Sequence, residues 1–196
     1  MTKNNYILGS HNSWSFLPPK HWWMTPFSFM AHCQRVDIRQ QYELGVRCFD
    51  LRLLVSKNGG VSVAHGLMKY SITIDELLED LQWIDDQGGC YVRILHEART
   101  GSQYTETAKN VFCTWCDIFK NRFHNIRFWC GRNLYNWQVD YDFGQDPSCH
   151  EDYSSVSDPK YIDDWWPYLY AKTHNRKIRE KGTDCDILLI DYVDIK

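Results

Sequence analysis

Hydrophobic residues along the chain are bunched into short runs, and stretches with helical spacing lie between them. Runs within 5–11, 46–55 ("VRCFDLRLLV"), 61–66 ("VSVAHG"), 90–98 ("CYVRILHEA"), 125–131 ("NIRFWCG") and 185–195 ("CDILLIDYVDI") predict strands. "KNGG", between the second and third runs, predicts a turn. Ile74, Leu77, Leu78, Leu81 and Ile84 share one helical face. That helix starts at a Thr73 cap, and Glu76 completes a capping-box pattern. Phe29, Met30, Cys33, Val36 and Leu44 predict a helix over 29–44, closed by Gly45. Residues 102–122 predict another, and 161–175 a fourth, interrupted by Pro167. The Pro- and Trp-rich stretch 15–27 and the polar, aromatic stretch 132–160 read as loops.

Strand and helix alternate, and several strands are apolar almost throughout. Such strands belong to a parallel sheet covered by helices. The class is therefore α/β, and a barrel is one solution, with its site at the C-terminal ends of the strands. A chain of 196 residues is short for eight full units. The expectation is an irregular, trimmed (β/α) TIM-like barrel, one domain over 1–196, in which some units lack helices.

Composition narrows this further. A hydrophobic share of 43%, with nine tryptophans, supports a sizeable core. A net charge of -3 excludes a general nucleic-acid binder, so no nucleic-acid partner is expected. It leaves room for a phosphorylated substrate, since one or two local arginines hold a phosphate. No run approaches the ~20 apolar residues of a membrane span. The first residues lack the apolar stretch of a secretory signal, so the chain as given reads as intracellular. The eight cysteines are scattered and read mostly as free, buried thiols. Cys113 and Cys116 form a C-x-x-C, but that spacing also sets them on a helix face beside Phe112 and Phe119. Only Cys130, Cys149 and His150 could complete a zinc site with them, and helix packing is the preferred reading.

Polar residues interrupt the apolar strands at particular places. His11 follows the first strand, His65 ends the third, and Asp191 lies in "LLIDYV". Asp50 and Arg52 alternate, so they share one side of their strand. Singly, each has a structural explanation: an ion pair for Asp50–Arg52, a satisfied histidine for the others. Together they make a set that cleaves phosphodiesters without a metal. One imidazole takes a proton and the other gives one. A guanidinium holds the phosphate, and a carboxylate behind one imidazole fixes its tautomer.

"GSHNSW", "YELGVRCFDLRLL" and "VAHGL", with the closing "LLIDYV", resemble the X-domain of phosphatidylinositol-specific phospholipase C. The motifs span Leu8 to Gly66 and the last dozen residues; 99–184 carries no part of the likeness. The resemblance implies an irregular (β/α) barrel that forms a cyclic inositol phosphate and diacylglycerol. It implies His11 as general base, Asp191 as the acid orienting it, and His65 as general acid. Arg52 would stand where other members use calcium, with Asp50 beside it. Asn12 and Glu97 would face the substrate. Asn12 and Glu97 also match the calcium-dependent members, so Asn12, Asp50 and Glu97 form an alternative Ca²⁺ site. Arg52 would repel such an ion, and no cofactor is the preferred expectation. Glu97 has a plainer use as a partner for Arg93 or Arg99.

Trp22, Trp23 and Phe27, just past the first motif, could touch a membrane surface transiently, although packing is the commoner use of such a cluster. Asp140, Tyr141 and Asp142 could meet inositol hydroxyls by position alone. Rival readings are a glycerophosphodiester phosphodiesterase and a non-catalytic barrel binding a lipid headgroup or a protein. The former would show an E-x-D metal pair where this chain has Asp50-x-Arg52.

Overall fold

The structure, a computed structural model, describes residues 6–155 and 159–196. Residue 5 of the first expected strand and residues 156–158 of the expected loop lie outside them. The strands are β1 (Ile7–Ser10), β2 (Cys48–Val55), β3 (Val61–His65), β4 (Met68–Lys69), β5 (Tyr91–His96), β6 (Arg127–Cys130), β7 (Cys149–Asp152) and β8 (Ile187–Ile190). The helices are α1 (Ile38–Glu43), α2 (Ile74–Gln87), α3 (Glu106–Arg122) and α4 (Pro167–Lys181).

Six strands run parallel in the order β7–β8–β1–β2–β5–β6. β3 returns antiparallel along the far half of β2, with Leu53 opposite Val63, and β4 pairs with β3. Among the described residues no ladder joins β6 to β7, so the sheet curls without closing. This is the trimmed α/β barrel expected from the sequence.

Alternation along β2 sorts the two sides of the sheet. Phe49, Leu51 and Leu53 face outward, into a core shared with Leu77, Leu81 and Ile84 of α2 and Phe112, Cys116 and Phe119 of α3. Burying each large apolar side chain there contributes about 1.5–3 kcal/mol. Cys48 faces inward, where it meets Trp129, Ile187 and Leu189 in a small apolar plug. Gly9 is required at this point. A Cβ on it would stand 2.5 Å from Leu189 Cδ2 and 3.2 Å from Cys48 Cβ. Above the plug the inward positions turn charged. Asp50 sits opposite Arg93 in the β2–β5 ladder, and the Arg93 guanidinium crosses the interior to Glu151 on β7. Apolar filling below and charge above place the chemistry at the C-terminal ends of the strands.

The α2 capping box forms: the Glu76 N–H donates to Thr73 Oγ1 at 3.2 Å, and Glu76 Oε2 accepts the Thr73 N–H at 2.7 Å. Three expectations are corrected. The helix over 29–44 is only α1, because Asp37 caps it, accepting from the Gln40 N–H at 2.8 Å. Residues Trp22–Met30 instead make 3₁₀ turns, and Cys33 lies in the extended link between the two. Within 132–160 lies β7, whose sequence "CHED" has no apolar alternation because Glu151 points into the charged interior. Pro167 does not interrupt a helix. It opens α4 at the first helical position, where its missing N–H costs nothing.

Candidate active site

β1 ends at Ser10, and the backbone turns sharply. Asn12 adopts φ 46°, a left-handed conformation that asparagine tolerates better than most residues. The turn aims the Asn12 N–H at Asp50 Oδ2, 2.9 Å away, and sends the His11 side chain over the barrel mouth. β8 ends at Ile190, and Asp191 follows in the adjacent position, since the His11 N–H donates to the Ile190 carbonyl at 2.9 Å. Asp191 Oδ1 lies 2.6 Å from His11 Nδ1. Its other oxygen accepts the Ser154 N–H at 3.0 Å and the Ser154 hydroxyl at 2.9 Å. Gln34 locks the two strand ends together, donating from Nε2 to the His11 and Ile190 carbonyls.

His65 ends β3. Its ring meets that of His11 edge-on, with centroids 5.3 Å apart. His65 Nδ1 lies 3.2 Å from the Ala31 carbonyl and 3.7 Å from Cys33 Sγ. Gly66 follows at φ 62°, and its N–H donates to Glu97 Oε1 at 2.7 Å. Arg52, buried on the inner side of β2, donates from Nε to Asp50 Oδ2 at 2.9 Å. Its Nη1 lies 3.5 Å from Glu97 Oε2.

The electrostatics follow from burial and these pairings. Burial first, and then the Arg52 charge, hold both imidazoles below their usual range; His65 falls to about 4. Burial pushes Asp191 up to about 7, although Ser154 partly offsets it. Burial would also raise Asp50, but Arg52 and Arg93 outweigh it and keep its carboxyl well below the usual range.

The structure thus brings His11, His65, Arg52, Asp50, Asp191, Asn12 and Glu97 to one mouth. Asn12 donates from Nδ2 to the Tyr70 hydroxyl at 3.1 Å. The Ca²⁺ set does not fit. Asp50 is committed to Arg52, Arg93 and the Asn12 N–H, and the Arg52 guanidinium occupies the approach to Glu97 Oε2. Glu97 pairs with Arg99 at 3.3 Å and with Arg52, whereas Arg93 is held by Asp50 and Glu151. Asp140, Tyr141 and Asp142 are engaged elsewhere: Asp140 with His96, Tyr141 with Asp117, and Asp142 with the Gly144 N–H. Cys113 and Cys116 lie on α3, with Cys116 in the core beside Phe112 and Phe119.

Four residues at the mouth escaped the sequence reading. The Tyr153 ring stacks flat on His11 at 3.6 Å, and its hydroxyl donates to Glu151 at 2.5 Å. Arg93 and Glu151 complete the charged layer, and Cys33 approaches His65. A signal existed for Arg93: it sits within the apolar run "YVRILH", as Asp50 and Arg52 do in theirs. Trp22, Trp23, Phe27 and Phe29 are exposed, Trp22 by 86%, rather than packed. Phe29 meets Trp166, which precedes α4, at 5.5 Å, so the two stretches build one aromatic rim. No helix among the described residues is long and apolar enough to cross a membrane.

Comparison with known proteins finds a match in structure alone. No family model and no curated protein matches the sequence. The phosphatidylinositol-specific phospholipase C of Listeria monocytogenes superposes with a TM-score of 0.64 at 16% identity, over 96% of this chain and 89% of that one. A point mutant of the Staphylococcus aureus enzyme gives 0.63 at 16% identity, over 96% and 86%. A further Staphylococcus aureus structure, concerned with that enzyme's membrane binding, gives 0.60 at 15% identity, over 96% and 86%. The chain has the fold of the bacterial phosphatidylinositol-specific phospholipases C.

Proposed function

We propose that the protein is a metal-independent phosphodiesterase of the phospholipase C type, acting on phosphatidylinositol-like diesters, as one domain over 1–196. The observation that carries this is the pairing of two imidazoles, one buried and one half-buried, 5.3 Å apart, the buried one backed by a carboxylate at 2.6 Å. Arg52 is near enough that its charge depresses both.

In this reading Asp191 holds the His11 Nδ1–H, which leaves the Nε2 lone pair free. His11 Nε2 takes the proton of the inositol 2-hydroxyl, and that oxygen attacks phosphorus within the same molecule. The bond to the glycerol oxygen breaks, His65 supplies the proton to it, and diacylglycerol leaves. Arg52 holds the phosphate oxygens while charge builds on them; Asp50 and Glu97 fix its fork. His65 at about 4 is a poor proton carrier at neutral pH in the empty site. A bound phosphodiester anion would neutralise Arg52 and raise His65 toward its task. His11 Nε2 is buried, with the Tyr153 ring stacked over the imidazole, so substrate entry requires that ring to swing aside. The exposed aromatic rim beside the mouth suits a transient contact with a membrane surface.

The closed state of Nε2 also favours the rival, a non-catalytic barrel. One assay separates them. The protein is incubated with phosphatidylinositol and with glycerophosphoinositol, with and without EDTA, and followed by phosphorus NMR. Cyclic inositol phosphate formed equally in both arms supports the proposal. Headgroup binding without product supports the non-catalytic barrel.

A further inference from the structure

We propose that His11, Cys33 and His65 form a binding site for a thiophilic divalent cation, with zinc as the ion the donor set fits best. One donor atom from each of the three lies within 4.8 Å of the others. Tetrahedral zinc with nitrogen and sulfur ligands has donor–donor edges of roughly 3.3–3.6 Å, so closure asks a pair to approach by about 1.2–1.5 Å at most. That is within the reach of a small side-chain rotation.

Three further features point to a ligand. His11 Nε2 is fully buried and has no hydrogen-bond partner, while Nδ1 is held by Asp191. A carboxylate on one imidazole nitrogen and an open lone pair on the other is the arrangement that orients metal-binding histidines. Cys33 is pinned on both sides of its thiol: its N–H donates to Ser15 Oγ at 2.9 Å, and its carbonyl accepts the Tyr192 N–H at 2.6 Å. The thiol makes long contacts, 3.6 Å to the Ala31 carbonyl and 3.7 Å to His65 Nδ1, and also meets the Asp191 carboxyl. Two nitrogens and a sulfur, with no oxygen, select zinc over calcium or magnesium.

The charge balance permits the ion. Burial, then Asp191, hold the Cys33 proton on in the empty site. Metal binding therefore exchanges one thiol proton for one metal–sulfur bond, leaving a site charge of plus one. The nearest fixed cation, Arg52, is matched by Asp50 and Glu97; Arg93 is matched by Asp50 and Glu151, and Asp191 stands behind His11. Arg99, the remaining cation that depresses His65, is paired with Glu97. The fourth position is open to water or a phosphate-ester oxygen. The site itself does not need the phosphodiesterase reading. Where that reading holds, zinc takes both imidazoles and switches the reaction off.

The test is cobalt titration of the intact protein, with zinc as competitor. Expected are tetrahedral d–d bands, a thiolate-to-cobalt charge-transfer band, release of about one proton per ion, and displacement by zinc. C33S should abolish the charge-transfer band and weaken zinc by at least ~10-fold, H65Q should weaken zinc comparably, and C113S should change neither. An octahedral cobalt spectrum without charge transfer overturns the site, as does a band that survives in C33S or a zinc affinity unchanged in H65Q. Should C33S fail to fold, H65Q carries the same decision. A protein that cleaves no phosphodiester would sink the functional reading, and the cobalt spectra would still decide this one.

Discussion

Among the described residues, two buried histidine–aspartate pairs stand at the C-terminal ends of parallel strands, and only one of them stands among groups that can do chemistry. His11 follows β1 and pairs with Asp191 at 2.6 Å; His96 ends β5 and pairs with Asp140 at 3.1 Å. In both, the second ring nitrogen is buried without a partner. The surroundings differ. His96 lies opposite outward-facing Leu53, so it points under α3 and stacks on Phe112 at 4.8 Å. Asp140 also accepts from the Tyr104 hydroxyl, Asn133 and Gln138, a closed network with no charged group free to meet a substrate. His11 points inward, toward a second imidazole, a guanidinium and a thiol. A histidine backed by a carboxylate is therefore not in itself a catalytic sign. The side of the strand it stands on decides its use.

The comparison breaks most sharply under alanine substitution. His11→Ala and His65→Ala should each lower turnover per folded molecule by ~10² or more. His96→Ala should do the opposite, because it leaves Asp140 short of a partner beneath α3. A loss of about 1–3 kcal/mol in denaturant unfolding, with activity per folded molecule retained, is expected. Normal turnover in His11→Ala would make the two pairs equivalent and both structural.

A comparable effect is expected from the carboxylates. Asp191→Asn keeps an acceptor for Ser154 but turns an amide N–H toward His11 Nδ1. That forces the proton onto Nε2, the wrong tautomer for a base, and turnover should fall by ~10² or more. Asp140→Asn should leave turnover unchanged. Steady-state kinetics on the two variants, side by side, checks this.

The inward face also explains what the sequence could show. Asp50, Arg52, His65 and Asp191 stood out because each breaks an apolar run, and a buried strand rarely carries such a residue without a purpose. The same logic reaches Arg93, which a local reading assigned to Glu97 instead. β7 and Tyr153 were hidden for the converse reason. Their strand faces the charged layer on one side, so "CHED" has no apolar alternation to reveal it. Cys33 was drawn into a helix pattern by Phe29, Met30 and Val36, and only the Asp37 cap shows that the helix starts after it. Fold class follows from periodicity. Which charged residues meet across the mouth follows from register, and register is not local.

Arg52 offers a third contrast, with a more moderate expected loss. Lysine keeps the charge but loses the fork between Asp50 and Glu97, and alanine loses both. Activity should fall in the order Arg, Lys, Ala, with Lys down by roughly 10–10². Wild-type activity should be indifferent to EDTA. Abolition by EDTA and rescue by added Ca²⁺ would return Asn12, Asp50 and Glu97 to the role of metal ligands.

The smallest effect separates the two aspartates by the sign of their pH dependence. Asp191 is raised by burial to about 7, so between its unfolded value of about 3.9 and 7 the folded chain binds the extra proton. Its contribution is fully present below about 3.9 and is lost as pH rises through 7. Burial would raise Asp140 too, but its bonds to His96 and Tyr104 outweigh that and lower it. Its contribution is present above about 3.9 and is lost as pH falls through the folded value. Asparagine titrates at neither position. The stability of Asp191→Asn relative to wild type should therefore improve between pH 4 and 8, by up to a few kcal/mol. That of Asp140→Asn should worsen from below pH 4 toward neutrality. Urea unfolding of the three proteins across this range measures both slopes. A flat or falling difference for Asp191→Asn would mean that its carboxylate keeps its charge in the folded state and accepts the His11 Nδ1–H across this range. The two histidine–aspartate pairs would then differ in surroundings but not in ionisation.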